Sequence, residues 1–223
     1  MHAGQKPTPP APMRITLHQL VPTPLPDASI RSSEVWGESV SLENSKCIRL
    51  VAQSGKGKST LLHILYGLRF DYKGSCEIEQ EQVSTFSTGR WRELWTNQLS
   101  LLFQDLRLFQ HMTARQNLEL LPKVYQSGPS LEEMCKVLEI DHLLDRAVST
   151  LSLGQQQRFA LVRTLLKPFK WLLLDEPFSH LDDDNARRAA RLIETSAQIR
   201  NASVLYTSLS QSSPLPCDLC LSL

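Results

Sequence analysis

The nine residues Ala52-Gln53-Ser54-Gly55-Lys56-Gly57-Lys58-Ser59-Thr60 join an apolar run, Cys47-Ile48-Arg49-Leu50-Val51, to a stretch in which Leu61, Leu62, Leu65 and Leu68 recur at helical spacing. The run predicts a buried strand and the spacing predicts a helix over residues 59–68, so the glycine-rich turn falls at a helix N-terminus. There its backbone N–H groups converge on an anion. The turn fits G-x-x-x-x-G-K-[ST] except at Ala52, which stands where the first glycine is expected. An alanine forced into a left-handed backbone costs about 1–2 kcal/mol, a cost that vanishes if Ala52 stays extended. In this reading Ser54, Gly55, Lys56, Gly57, Lys58, Ser59 and Thr60 cradle a nucleoside triphosphate. Lys58 reaches its β- and γ-phosphates, and the Ser59 hydroxyl enters the Mg²⁺ shell.

Trp171-Leu172-Leu173-Leu174-Asp175-Glu176-Pro177 is an apolar run that ends in two adjacent carboxylates. In an open α/β sheet the ligand sits beyond the carboxyl ends of the strands, which brings both acids to the phosphate turn. Strand alternation gives them different tasks. Asp175 is expected to hold the metal through water, and Glu176 to act as general base on the attacking water.

Leu151-Ser152-Leu153-Gly154-Gln155-Gln156-Gln157-Arg158 resembles the L-S-G-G-Q signature of the ATP-binding-cassette (ABC) ATPases, with Leu153 in place of the first glycine. Phe103-Gln104-Asp105 resembles the family's Q-loop, and Ser179-His180-Leu181-Asp182 its D-loop. The order and spacing of these motifs are similar from residue 15 to about 210. The resemblance implies an α/β fold: a P-loop NTPase (RecA-like) core, an N-terminal antiparallel β subdomain and an inserted helical subdomain over about 105–163. It implies ATP and Mg²⁺ as cofactors, with Gln104 joining Ser59 and Asp175 as a metal ligand and sensing a membrane partner. It also implies a head-to-tail dimer, with a second copy or a homologous ATPase subunit, in which Ser152, Gly154 and Gln155 of one subunit face the nucleotide of the other. An integral membrane permease is expected to dock near Gln104 and the helical subdomain. The run Arg90-Trp91-Arg92-Glu93-Leu94-Trp95 leading into Leu101-Leu102-Phe103-Gln104 is similar to the branch serving lipoprotein release, macrolide export and cell division.

Two departures from the family pattern touch chemistry. Val204-Leu205-Tyr206-Thr207 leads to Ser208 where the family usually carries a histidine against the γ-phosphate. A hydroxyl is shorter than imidazole and does not titrate near neutral pH. Removing an aimed transition-state donor costs about 10²–10³ in rate, so slow turnover is expected, with Ser208 as the third catalytic position beside Glu176 and Gln104. The adenine-stacking aromatic is also missing from its usual place near Pro24, which leaves Trp36 as the nearest aromatic and a packing role as its more ordinary reading.

The 223 residues, 41% hydrophobic, suffice for one two-lobed domain over residues 13–223. A net charge of +1 offers no basic face for nucleic acid. No apolar run approaches the ~20 residues that span a bilayer, and no leader is evident, so the expected location is the cytoplasmic face of the inner membrane, reached through the partner. Residues 1–12 hold four prolines and read as a disordered tail, or as sequence upstream of a start at Met13. Cys47, Cys76 and Cys135 read as small core residues, Cys217-Asp218-Leu219-Cys220 lacks the second pair a zinc site needs, and Leu219, Leu221 and Leu223 suggest a terminal strand. Asn201-Ala202-Ser203 is a coincidental sequon. Helical spacing is expected over 118–125, 131–138 and 156–166, and a polar helix over 183–200 begins at the acidic cluster Asp182, Asp183 and Asp184. Besides a transporter ATPase, two readings stay open: a slow ATP-dependent switch on a membrane partner, and a soluble cassette ATPase in cofactor assembly.

Overall fold

The structure is a computed structural model that describes residues 13–42, 47–120, 128–210 and 212–223. In chain order its elements are β1 (Ile15–Pro22), α1 (Asp27–Arg31), β2 (Ser39–Leu42), β3 (Cys47–Val51), α2 (Lys58–Leu65), β4 (Tyr72–Ile78), β5 (Glu81–Gln82), α3 (Thr88–Asn97) and β6 (Leu99–Leu102). There follow α4 (Ala114–Glu119), α5 (Leu131–Val137), α6 (Leu153–Leu166), β7 (Trp171–Leu174), α7 (Asp183–Arg200), β8 (Ser203–Ser208) and β9 (Leu219–Ser222).

Two sheets result. A four-stranded sheet in the order β2-β1-β4-β5 is antiparallel throughout, and a five-stranded sheet in the order β6-β7-β8-β3-β9 is parallel. Alternation along the parallel strands sorts their side chains into two cores. Leu172, Leu174, Val204 and Tyr206 join α4 to α7 on one face, around Phe159, Leu161 and Ile193. Trp171, Leu173, Leu205, Ile48 and Leu50 join α2, α3 and the antiparallel sheet on the other, around Trp36, Leu62 and Ile15. The phosphate turn and the Asp175-Glu176 pair thus lie at one edge, beyond the ends of β3 and β7.

The long helices start where their caps stand. Ser130, Ser152 and Asp182 each accept a backbone N–H from the third helical residue, and the first two complete capping boxes with Glu133 and Gln155. The helix after the phosphate turn differs from its expected span. It ends at Leu65, because Gly67 takes φ +71° and lies where a Cβ would come within 2.5 Å of Trp91, and this leaves Leu68 45% exposed. The helix expected over 118–125 begins earlier, at Ala114, and residues 121–127 lie outside the described residues, as does the tail 1–12. Asn117 lies inside α4 with a buried side chain. Cys76 and Cys135 are buried as expected, Cys47 only partly, and β9 is the terminal strand that the leucine alternation suggests.

Candidate nucleotide site

The phosphate turn is built by left-handed glycines. Gly55 takes φ +80° with open space where its Cβ would point, and Gly57, at φ +94°, is the N-cap of α2. Ala52 avoids the left-handed region, so the missing first glycine carries no backbone strain. Trp36 supports the turn from below: its indole N–H donates to the Lys56 carbonyl at 3.1 Å, and a Cβ on Gly57 would meet its ring at 3.0 Å. Trp36 is 1% exposed, which corrects any role as an adenine platform; it is a packing residue. Lys56 turns away to donate to Ser29 Oγ at 3.2 Å, and the Thr60 hydroxyl accepts from Arg69.

Lys58 is the cation in the cradle. Its Nζ donates to the Ala52 and Gln53 carbonyls at 2.9 and 3.2 Å and lies 3.4 Å from Glu176 Oε1, with both side chains largely buried. Partners on three sides hold it over the turn without filling all its donors with charge, the arrangement a phosphate can take over.

Asp175 is 3% exposed and accepts a hydrogen bond from Thr207 Oγ1 at 2.8 Å, while the same hydroxyl accepts from the Glu176 N–H at 2.8 Å. Glu176 takes φ +47°, a left-handed backbone that costs about 1–2 kcal/mol in a non-glycine residue. Three donors converge on its carbonyl: Gln157 Nε2 at 3.0 Å, Ser179 Oγ at 3.1 Å and the Ser179 N–H at 3.3 Å. The turn that aims the carboxylate is therefore held by β8, α6 and the residues after it.

Ser59, Gln104 and Asp175 share a cavity of about 280 Å³ with His63, Phe103, Asp105 and Arg107. A hydroxyl, an amide oxygen and a carboxylate are the hard oxygen donors that suit Mg²⁺, with room for the waters it keeps. Burial holds the His63 imidazole below its ordinary pKa. A second cavity, of about 190 Å³, lies between Glu176 and Ser208, walled by Thr207, Leu209 and Ser210. The Ser208 hydroxyl donates to the Ser210 carbonyl at 2.9 Å and accepts the Ser210 N–H at 3.1 Å.

The signature residues occupy another surface. Neither cavity has a wall from residues 152–155. Ser152 spends its hydroxyl on the Gln155 N–H, Leu153 is 50% exposed, and a Cβ on Gly154 would come within 2.6 Å of the His180 carbonyl. Gly154 is thus needed for the D-loop of its own chain.

With this geometry, the sequence profile of the ABC transporter family matches residues 37–179. The thiamine import ATP-binding protein ThiQ of Shigella sonnei is 35% identical over 175 residues, covering 76% of this chain and 73% of its own. The chain belongs to the ABC transporter family. ThiQ of Escherichia coli K12 is 34% identical over 177 residues. Among solved structures, the dimeric bacterial ABC transporter cassette MJ0796 superposes with a TM-score of 0.74 at 21% identity, covering 88% of each chain. A bacterial Atm1-family ABC exporter with ATP bound gives 0.76 at 21% identity, covering 97% of this chain and 39% of that one. Both are likenesses of fold: a P-loop core, an antiparallel β subdomain and added helices.

Three residues of the cassette site escaped the sequence reading. Thr207 and Gln157 organise the Asp175-Glu176 turn from 31 and 19 residues away, and nothing local marks either as polar by need. His63 had a signal, being four residues after Ser59 and so on the same helix face.

Proposed function

We propose that this chain is the ATP-hydrolysing subunit of a membrane transporter, working as a head-to-tail dimer. The observation that carries this reading is the meeting of Lys58, Asp175 and Glu176 at one edge of the parallel sheet, with Lys58 Nζ 3.4 Å from Glu176 Oε1. In ATP binding, Lys58 exchanges Glu176 for the β- and γ-phosphates, and the N–H groups of residues 54–60 surround them. Glu176, released from that ion pair, is free to accept a proton from the attacking water. Ser59, Gln104 and Asp175 are the residues that would hold Mg²⁺, which when bound offsets phosphate charge.

Ser152, Gly154 and Gln155 then serve the nucleotide of the second subunit, a copy of this chain or a homologous one. The helix-rich stretch of about 105–163, with half-exposed Phe109 five residues after Gln104, offers the face for a permease. Among the described residues no helix is long and apolar enough to cross a membrane, which suits attachment to the cytoplasmic face of the membrane through that partner. The two ThiQ relatives are thiamine import ATP-binding proteins, which favours uptake of a small molecule chosen by the permease. They lend no support to the lipoprotein-release, macrolide-export and cell-division branch, whose marker run, Arg90 to Trp95, belongs to a packing helix here.

One observation favours a slower device. Ser208 ties its hydroxyl into the Ser210 turn rather than aiming it at Glu176, which suits a switch that binds ATP and turns over rarely.

Glu176→Gln separates binding from hydrolysis. The amide keeps the shape but cannot act as base, so phosphate release should fall at least a hundredfold while Mg-ATP produces a persistent dimer on size-exclusion chromatography. Undiminished phosphate release by a folded Glu176→Gln protein would refute the assignment.

A further inference from the structure

Gln157 is 2% exposed, and its two amide atoms fare differently. Nε2 donates to the Glu176 carbonyl at 3.0 Å, which fixes the amide orientation because a carbonyl can only accept. Oε1 is buried and has no hydrogen-bond partner among the described residues. An apolar side chain of the same length would fill the space without that acceptor, so packing alone does not call for a glutamine here. What the glutamine supplies is one donor, placed on the left-handed residue that carries the carboxylate.

The same helix meets the segment after β7 twice more. Gly154 sits against the His180 carbonyl with no room for a Cβ, and Arg158 Nη1 donates to Asn185 Oδ1 at 3.0 Å, where Asn185 is itself bound by the Asp182 cap. The first turns of α6 and residues 176–185 are therefore locked as one body. In the dimer proposed above, on which this inference rests, that body has two faces: residues 152–155 meet the nucleotide of the other subunit, and Glu176 meets its own.

We infer that Gln157 is a positioning residue that couples the two nucleotide sites. It holds the Glu176 turn in register with the start of α6, so that engagement of α6 by the partner's nucleotide sets the general base over the resident one. No covalent step is involved. An element that two sites both bias is the physical requirement for coupling.

The test substitutes Gln157→Met, which keeps length and volume while removing the donor. Wild type is expected to show a sigmoidal dependence of phosphate release on Mg-ATP. Gln157→Met should show a hyperbolic one, with kcat lower by about tenfold, affinity for a fluorescent ATP analogue within about twofold, and a thermal midpoint not below wild type. A purely structural glutamine would instead lower the midpoint and the affinity together, and that result overturns the inference. So does wild-type kcat with unchanged sigmoidality. Glu176→Gln measured alongside separates the two layers: if it abolishes turnover while Gln157→Met leaves it intact, the coupling fails and the site assignment stands. If Glu176→Gln turns over normally, the site assignment fails and takes the coupling with it.

Discussion

Ser208 and Glu176 both line a cavity of about 190 Å³, which leaves open space beside position 208 for a larger side chain. Imidazole is larger than the hydroxymethyl it replaces, and the Ser210 contacts it forfeits are exposed. Ser208→His should therefore raise kcat by about tenfold, equivalent to about 1.4 kcal/mol of barrier, with nucleotide affinity nearly unchanged. Steady-state phosphate release checks this, and the gain should vanish in a Glu176→Gln background. Brisk wild-type hydrolysis that Ser208→His does not improve would remove the slow-switch reading. The meeting of Lys58, Asp175 and Glu176 was readable because each stands in a short local pattern: a glycine turn before a helix, two acids after an apolar strand. Gln157 and Thr207 were not readable. Their importance comes from the Glu176 backbone, which reaches them only after the sheet and α6 have packed.

The start of α7 was legible in the acidic cluster at Asp182, because a cap is a local hydrogen bond that the sequence carries within four residues, whereas α6 begins on its Ser152 cap at Leu153, three residues before the start expected from apolar spacing. Endings set by packing were not legible. Leu68 continues the helical spacing of α2, but Gly67 against Trp91 stops the helix three residues earlier. The aromatic run of α3 illustrates the same limit. Trp91 packs on Phe86 and Trp95 with ring centroids 5.2 and 5.8 Å apart, and the Trp95 N–H reaches the Tyr66 carbonyl at 2.9 Å, so the run is the lid of a core. Asn117 of α4 has a similar hidden purpose. Fully buried, it accepts the Phe109 N–H at 2.8 Å and donates to the Phe109 and Thr113 carbonyls at 3.0 Å, pinning the strand-to-helix loop beyond Gln104. Asn117→Ala should destabilise the protein by about 2 kcal/mol, the cost of orphaning partly buried backbone groups, measured as a lower urea midpoint at unchanged slope.

A partly buried lysine ties α6 to the neighbouring core. Lys167, at the C-terminus of α6, donates to the Tyr66 hydroxyl at 3.1 Å and the Leu99 carbonyl at 3.3 Å. Burial, with Arg163 adding to it, lowers its pKa from 10.5 to about 8. Because the folded pKa lies below the unfolded one, the native state binds fewer protons between about pH 8 and 10.5, and stability rises with pH across that window. The slope from this group is at most about 1.4 kcal/mol per pH unit. Lys167→Met should subtract that rise, as urea unfolding of both proteins from pH 7 to pH 10 would show; parallel pH profiles would mean that Lys167 is not held neutral. For the molecule as a whole, one property underlies every proposed role: a triphosphate held by the turn between β3 and α2. Titration of wild type and Lys58→Ala with a fluorescent ATP analogue in the presence of Mg²⁺ tests it most directly. Wild type should bind saturably, and Lys58→Ala, folded by circular dichroism, should lose at least tenfold in affinity, about 1.4 kcal/mol. Equal affinity in the two proteins, or no binding by wild type, would contradict it.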